Sequence, residues 1–213
     1  MIIGTELTKT FAGDPVFEKI SFKAGNNRKI ALVGKNGCGK STLLKVVVGE
    51  LEPEAGNIVA EGEKIGYIPQ EFTFPNELVG EYLEKKLDRS WDFYKVEQLL
   101  AELDFANFDP YQELATLSEG QKMKVKMLEI LLENPTTLLI DEPTNHLDIE
   151  GIMWFENYIK SLDKTVLVVS HDREFLNNTV DEIWELDNKK LLRFVGNYDF
   201  YKQEKLSLIQ KWN

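Results

Sequence analysis

The 213-residue chain has one cysteine, Cys38, two histidines, His146 and His171, and no long apolar run. A single cysteine excludes an intrachain disulfide framework and a cysteine-ligated metal cluster. No apolar segment approaches the ~20 residues that carry a helix across a bilayer. The opening, Met1-Ile2-Ile3-Gly4-Thr5-Glu6, lacks a basic segment followed by a long apolar one, which argues against a secretory leader. Positive charge is in short supply too: 25 Lys and Arg stand against 36 Asp and Glu, a formal net charge of −11. A surface of that sign repels nucleic-acid phosphates as a whole, so any such contact has to be local, as around Lys122, Lys124 and Lys126. There is no low-complexity tract, linker or internal repeat. A chain of this length can build one sizeable core, with room for a subdomain. These features together point to a cytoplasmic protein without membrane insertion.

Against these absences stands one dense motif, Gly34-Lys35-Asn36-Gly37-Cys38-Gly39-Lys40-Ser41-Thr42. Glycine, four residues, glycine, lysine and a hydroxyl residue make the phosphate-loop pattern. Its setting agrees. The apolar run Ile30-Ala31-Leu32-Val33 reads as a buried strand, and Thr42 to Val48 reads as the helix that follows. In such a turn successive N–H groups point inward, and the positive end of the helix dipole adds to them. Lys40 is expected to reach the β- and γ-phosphates, and the Ser41 hydroxyl to bind Mg²⁺. Cys38 reads as a small residue that fits the loop, since nothing nearby marks it as reactive.

Around this motif the pattern alternates. Ile2 to Phe11, Phe17 to Ala24, Ile58 to Ala60 and Ile65 to Ile68 read as strands, with a turn at Gly13-Asp14-Pro15. Glu77 to Leu87, Trp91 to Leu103 and Glu119 to Leu132 carry helical spacing. Thr137 to Ile140, Ile149 to Leu162 and Thr165 to Val169 then resume strand, helix, strand. The predicted class is α/β: a parallel sheet with covering helices, an N-terminal β-rich part and a helical insertion. The amphipathic tail, Asn197 to Asn213, reads either as a helix docked on the core or as one that continues into a further segment.

Two more segments carry chemistry. Leu138-Leu139-Ile140-Asp141-Glu142 is an apolar strand ending in two carboxylates. Asp141 suits Mg²⁺, which takes oxygen ligands. Glu142 suits the orientation and deprotonation of an attacking water. Leu117-Ser118-Glu119-Gly120-Gln121 opens a helix, with Ser118 and Gln121 spaced for a capping box. Capping explains that segment except for Gly120, which weakens a helix but admits a phosphate to its backbone.

At this point the chain resembles the ATP-binding cassette (ABC) family along its whole length. The phosphate loop matches Walker A, and Leu138 to Glu142 matches Walker B. Tyr67-Ile68-Pro69-Gln70 resembles the glutamine loop, Leu117 to Gln121 the signature sequence usually written LSGGQ, Leu147-Asp148 the D-loop, and Ser170-His171-Asp172 the switch histidine. The resemblance implies a P-loop NTPase with a RecA-like core, ATP and Mg²⁺ as ligands, and ATPase activity. It implies nucleotide contacts from Phe11, Gly34, Asn36, Gly37, Cys38, Gly39, Lys40, Ser41 and Thr42. Phe11 stands where the family stacks an aromatic on adenine; read as a residue alone it is equally a core aromatic. Metal contacts are implied for Ser41, Gln70 and Asp141, and catalytic roles for Glu142, Gln70 and His171, the last sensing the γ-phosphate. His146 is left as structural.

Glu142-Pro143-Thr144-Asn145-His146-Leu147-Asp148 and Gly196-Asn197-Tyr198 sharpen the resemblance to the ABC-F branch, where the phrases TNHLD and GNY are usual. That branch has no membrane domain, carries two cassettes, and many members act on the ribosome or protect it from antibiotics. One motif set is present here, like that of a first cassette. Residues 1–213 are thus expected to form one cassette, with 71–133 as its helical signature subdomain and 202–213 as the start of a linker helix. Ser118, Glu119, Gly120 and Gln121 are then expected to contact the ATP of a second cassette, in the same chain or a second copy, and Asp148 stands as the D-loop residue. Glu119 replaces the usual glycine, and the neighbouring lysines either compensate it or solvate a helix face. Other readings are the ATPase subunit of a membrane transporter and a nucleotide-gated binding module with negligible turnover.

Overall fold

Short apolar strands alternating with amphipathic helices assemble into two sheets in the computed structural model, which describes residues 1–87, 92–105 and 108–212, the side chains of residues 146, 209, 211 and 212 apart. One sheet is antiparallel and runs in the order β2 (Asp14–Ala24), β1 (Ile2–Phe11), β4 (Ala55–Val59). The other runs β5 (Ile65–Ile68), β6 (Thr137–Asp141), β7 (Thr165–Val169), β3 (Lys29–Val33), β8 (Glu182–Asp187), β9 (Lys190–Val195). Its first five strands are parallel, and β9 returns antiparallel at the edge. The helices are α1 (Lys40–Val48), α2 (Val79–Glu84), α3 (Phe93–Glu102), α4 (Glu119–Leu132), α5 (Ile149–Ser161), α6 (Arg173–Thr179) and α7 (Tyr198–Trp212). The α/β class with a parallel core and an antiparallel β part is therefore as the sequence led us to expect.

Every residue of β3, β6 and β7 is buried, as strands covered on both faces require. Their side chains alternate between two cores. Ile30, Leu32, Leu139, Leu167 and Val169 face the antiparallel sheet and α1, where they meet Leu7, Phe17, Leu43 and Leu44. Ala31, Ile140, Val166 and Val168 face the other way, toward Met127, Phe155 and Phe175 of α4, α5 and α6. Beneath this sheet the ammonium of Lys29, itself buried, donates to the Leu162 and Lys164 carbonyls at 2.8 and 2.7 Å. It closes the carbonyl end of α5, where a cation is favoured.

Several boundaries differ from expectation for identifiable reasons. β2 begins at Asp14, because the chain turns at Ala12-Gly13 and Pro15 sits on an edge strand that does not need its N–H. α2 covers less than Glu77 to Leu87: Glu77 and Val79 exchange backbone hydrogen bonds with Leu114 and Gln112, and that pairing takes residues the helix would use. Trp91, at the start of the expected helix Trp91 to Leu103, lies outside the described residues; α3 begins at Phe93. Asn213 lies outside them as well.

The lysines of α4 are committed within the fold. Lys122 pairs with Glu119 at 2.7 Å and Lys126 with Glu129 at 2.8 Å. Lys124 donates to the Asp104 carbonyl and lies 4.6 Å from the Trp154 ring centroid. They form no free basic patch. The Trp154 indole in turn donates to the Leu103 carbonyl at 2.7 Å and so ties α5 to the end of α3. Trp154→Phe should cost about 1–2 kcal/mol through that lost bond and weakened cation–π contact, read as a lower urea midpoint with an unchanged m-value.

Candidate functional site

The phosphate loop lies between the carboxyl end of β3 and the amino end of α1, as its spacing predicts. Gly39 occupies the cap position of α1 at φ +105°, where L side chains are strained. A Cβ there would stand 2.1 Å from the Val16 side chain of β2. Glycine thus lets the loop press against the β1–β2 hairpin, on which Phe11 pairs with Asp14, two residues before Val16. The Lys40 ammonium is turned back over the loop, donating to the Gly34 and Lys35 carbonyls at 3.1 and 3.2 Å.

The acids of β6 end in the same place. Asn36, Gly37, Lys40, Ser41, Gln70, Asp141, Glu142, Asn145, Val169 and His171 line one cleft of about 320 Å³. Asp141 and Glu142 are 2% and 5% exposed. Burial pushes both carboxyls above their ordinary range. The Ser41 hydroxyl and the Lys40 and Lys45 ammoniums oppose that shift at Asp141, and His171 and Lys40 oppose it at Glu142. Glu142 Oε1 lies 3.2 Å from His171 Nε2, while Glu142 Oε2 and Asp141 Oδ1 are buried with no hydrogen-bond partner. Two such oxygens beside a lysine and a hydroxyl suit a cation and a water. Glu142, the first residue after β6, also has a left-handed backbone, φ 50° and ψ 52°, a strained state for a non-glycine residue.

The loop carrying His171 is pinned on either side. Ser170 Oγ is 3.1 Å from Thr144 Oγ1, and Asp172 caps α6 by accepting from the Glu174 and Phe175 amides at 3.0 Å each. Asn145 lines the cleft although sequence reasoning assigned it no role; its only signal was its place beside Thr144 and His146.

Other expected site residues lie apart from this cleft. Gly34 lines a neighbouring cleft of about 460 Å³ with Lys35, Arg173 and Glu185, whereas Cys38, Gly39 and Thr42 line neither. Phe11 is 51% exposed, which removes the reading of it as a core aromatic. Ser118 to Gln121 also stand outside. Ser118 Oγ accepts from the Gln121 amide at 3.2 Å and Gln121 Oε1 accepts from the Ser118 amide at 3.0 Å, the reciprocal capping box that the spacing predicts. A Cβ on Gly120 would meet nothing within 4 Å, so no internal packing requires glycine there. Asp148 caps α5, accepting from the Gly151 amide at 2.8 Å.

Residues 17–145, which carry the phosphate loop, Gln70, the capped start of α4 and the acids Asp141 and Glu142, match the family described as ABC transporter. The chain belongs to that family. ATP hydrolysis is the general activity of ABC ATPase domains, which bind nucleotide, use Mg²⁺ and work as dimers or in two-cassette proteins. Relatives of this cassette include the ATP-binding protein Uup of Escherichia coli (strain K12), 32% identical over 92% of this chain and 37% of Uup. The ribosome protection protein VmlR of Bacillus subtilis (strain 168) is 33% identical over 92% of this chain and 33% of VmlR. ABC transporter F family member 2 of Arabidopsis thaliana is 29% identical over 96% of this chain and 37% of that protein. The chain thus spans about a third to two fifths of the length of these relatives. The solved ATP-binding subunit of an ABC transporter shares the fold at a TM-score of 0.80 and 23% identity, over 92% of this chain and 90% of that one. A nucleotide-free cassette from an ABC transporter does so at 0.83 and 19%, over 95% and 94%. Among the described residues no helix is long and apolar enough to cross a membrane.

The two buried carboxyls carry a consequence for stability. Burial raises their folded pKa values above the unfolded ones, so ionisation at neutral pH opposes folding, and the penalty fades as pH falls toward the folded values. Asp141→Asn and Glu142→Gln should therefore raise the Tm of the nucleotide-free cassette. A gain of about 2–4 °C, what ~1 kcal/mol produces in a domain of this size, is expected at pH 8 and should shrink at pH 5.

Proposed function

We propose that this chain is the ATP-binding and ATP-hydrolysing cassette of an ABC-F type protein that acts on the ribosome and closes against a second cassette when ATP binds. The observation that carries the hydrolytic part is the meeting of Lys40, Ser41, Gln70, Asp141, Glu142 and His171 around one cleft, with two buried carboxylate oxygens left without partners. Lys40 exchanges the Gly34 and Lys35 carbonyls for the β- and γ-phosphates, and the loop amides and the α1 dipole hold the triphosphate. Ser41, Gln70 and Asp141 would supply the oxygen ligands that Mg²⁺ takes, and the orphaned Asp141 Oδ1 fits that use. Bound there, the ion would neutralise charge on the β- and γ-phosphates.

Glu142 Oε2 accepts a hydrogen bond from water and takes its proton as the water oxygen attacks the γ-phosphorus. The bond from that phosphorus to the β-phosphate oxygen breaks, and ADP leaves with the electron pair. A carboxyl raised by burial holds such a proton better than an exposed one. His171 steadies Glu142 Oε1 and senses the γ-phosphate.

Ser118, Glu119, Gly120 and Gln121 have no part in this chain's own cleft and serve the site of a second cassette, while Asp148, the D-loop residue, caps α5. The capped end of α4, open over Gly120, suits a phosphate, and the Glu119–Lys122 pair offsets the acid that stands in place of glycine. Phe11, exposed on the hairpin that the loop presses against, suits stacking on the base. The ribosomal part of the reading is supported by Thr144 to Asp148, by Gly196-Asn197-Tyr198, and by kinship with a ribosome protection protein. The segment 71–133 serves as the signature subdomain, and α7 from Lys202 to Trp212 serves as the start of a linker. The start of α7 docks through Tyr201, whose hydroxyl donates to Glu185 at 2.8 Å, whereas Leu206 and Leu208 are left exposed. A cytoplasmic location fits this reading.

Lys40→Ala should weaken Mg-ATP binding at least tenfold by titration calorimetry; an unchanged dissociation constant overturns the cradle. Glu142→Gln should keep ATP binding and cut phosphate release at least a hundredfold. In a lysate that variant should co-sediment with ribosomes when ATP is present and not when ADP is. ATP binding without co-sedimentation, together with a stable complex with an integral membrane protein, would replace the ribosomal role by that of a transporter subunit.

A further inference from the structure

An exposed aromatic at the end of a strand has little to hold its ring, but Phe11 is held. Lys9, two residues earlier on β1, lays its ammonium 5.6 Å from the Phe11 ring centroid. That ammonium is itself fixed: it donates to Glu54 Oε1 at 3.0 Å and to the Glu52 carbonyl at 2.7 Å, and the Lys9 side chain is 11% exposed. Glu54 Oε2 accepts from the Thr10 amide at 2.8 Å, and the Glu54 amide donates to the Thr8 carbonyl at 2.9 Å. Carboxylate, ammonium and ring thus form a chain running from the start of β4 to the end of β1. The same hairpin meets the phosphate loop at the Val16–Gly39 contact.

We propose that Lys9, buttressed by Glu54, is a positioning residue for the nucleobase: it closes one face of the Phe11 ring and leaves the other for adenine. This rests on the reading that Phe11 stacks on the base. Two effects follow from the geometry. A cation on one face draws π density toward itself, so the opposite face becomes a better partner for an electron-rich purine. A ring held before the ligand arrives also loses less rotamer freedom on binding. The Lys9 hydrogen bond holds the Glu54 carboxyl below its usual range, so the pair stays ionised well into mild acid.

The test is calorimetric binding of the non-hydrolysable analogue AMP-PNP, and of tripolyphosphate, which has no base, to the whole chain with Mg²⁺. Lys9→Met keeps the aliphatic stem and removes the charge; it should weaken AMP-PNP about 3–5-fold and leave tripolyphosphate unchanged. Lys9→Arg should restore AMP-PNP affinity. Equal weakening of both ligands by Lys9→Met would make Lys9 a structural residue, and no change in either would remove it from the site; both outcomes overturn the proposal. Phe11→Ala separates the two layers. If it weakens AMP-PNP selectively while Lys9→Met is silent, stacking stands and the Lys9 proposal falls. If Phe11→Ala is itself silent, the stacking reading fails and takes the Lys9 proposal with it.

Discussion

Two carboxylates held side by side out of water, at the end of a strand with sheet neighbours on both sides, are the constraint around which this cassette is arranged. Asp141 and Glu142 each oppose folding when ionised, and they also repel one another. The sheet order answers this. β6 lies between β5 and β7, so its carboxyl end opens beside the ends of strands that lead into Gln70 and His171. Across the face, α1 brings Lys40, Ser41 and Lys45 toward Asp141, and these lower the cost of its charge. The strained backbone at Glu142 belongs to the same account, since it falls on the first residue past β6, whose side chain lines the cleft. A site that is costly while empty gains free energy when charge of the opposite sign arrives.

Much of this was legible because the relevant signals are local. The phosphate loop is a contiguous run between a buried strand and a helix. α4 could be bounded at both ends because its capping box and apolar spacing agree. β5 and β7 are short apolar runs between polar breaks. What was not legible depended on distant partners. β8 hides its period because Glu182 and Glu185 are buried, the first against Arg193 of β9 and the second against Tyr201 and Lys205 of α7. α2 is shorter than its pattern because residues 77–79 pair with 112–114. The support under Phe11 was unreadable for the same reason: Lys9 and Glu54 are 45 residues apart.

The division of the site follows from the same geometry. Residues suited to hold and cleave a triphosphate gather at the carboxyl end of the parallel sheet. The start of α4 and the start of α5 stand outside that cleft, each capped by its own side chains, Ser118 with Gln121 and Asp148. Cassettes of this family work in pairs, and a fold that separates its two ends in this way has a physical reason to do so.

The capping box at Ser118 has a kinetic corollary. In the solitary chain, Ser118 and Gln121 already satisfy each other's amides. The box does not use the amides of Glu119 and Gly120 in that first turn, where the helix end favours negative charge. A first turn held in shape by its own side chains has little left to order when a ligand meets it, so encounter there is not slowed by folding of the helix end.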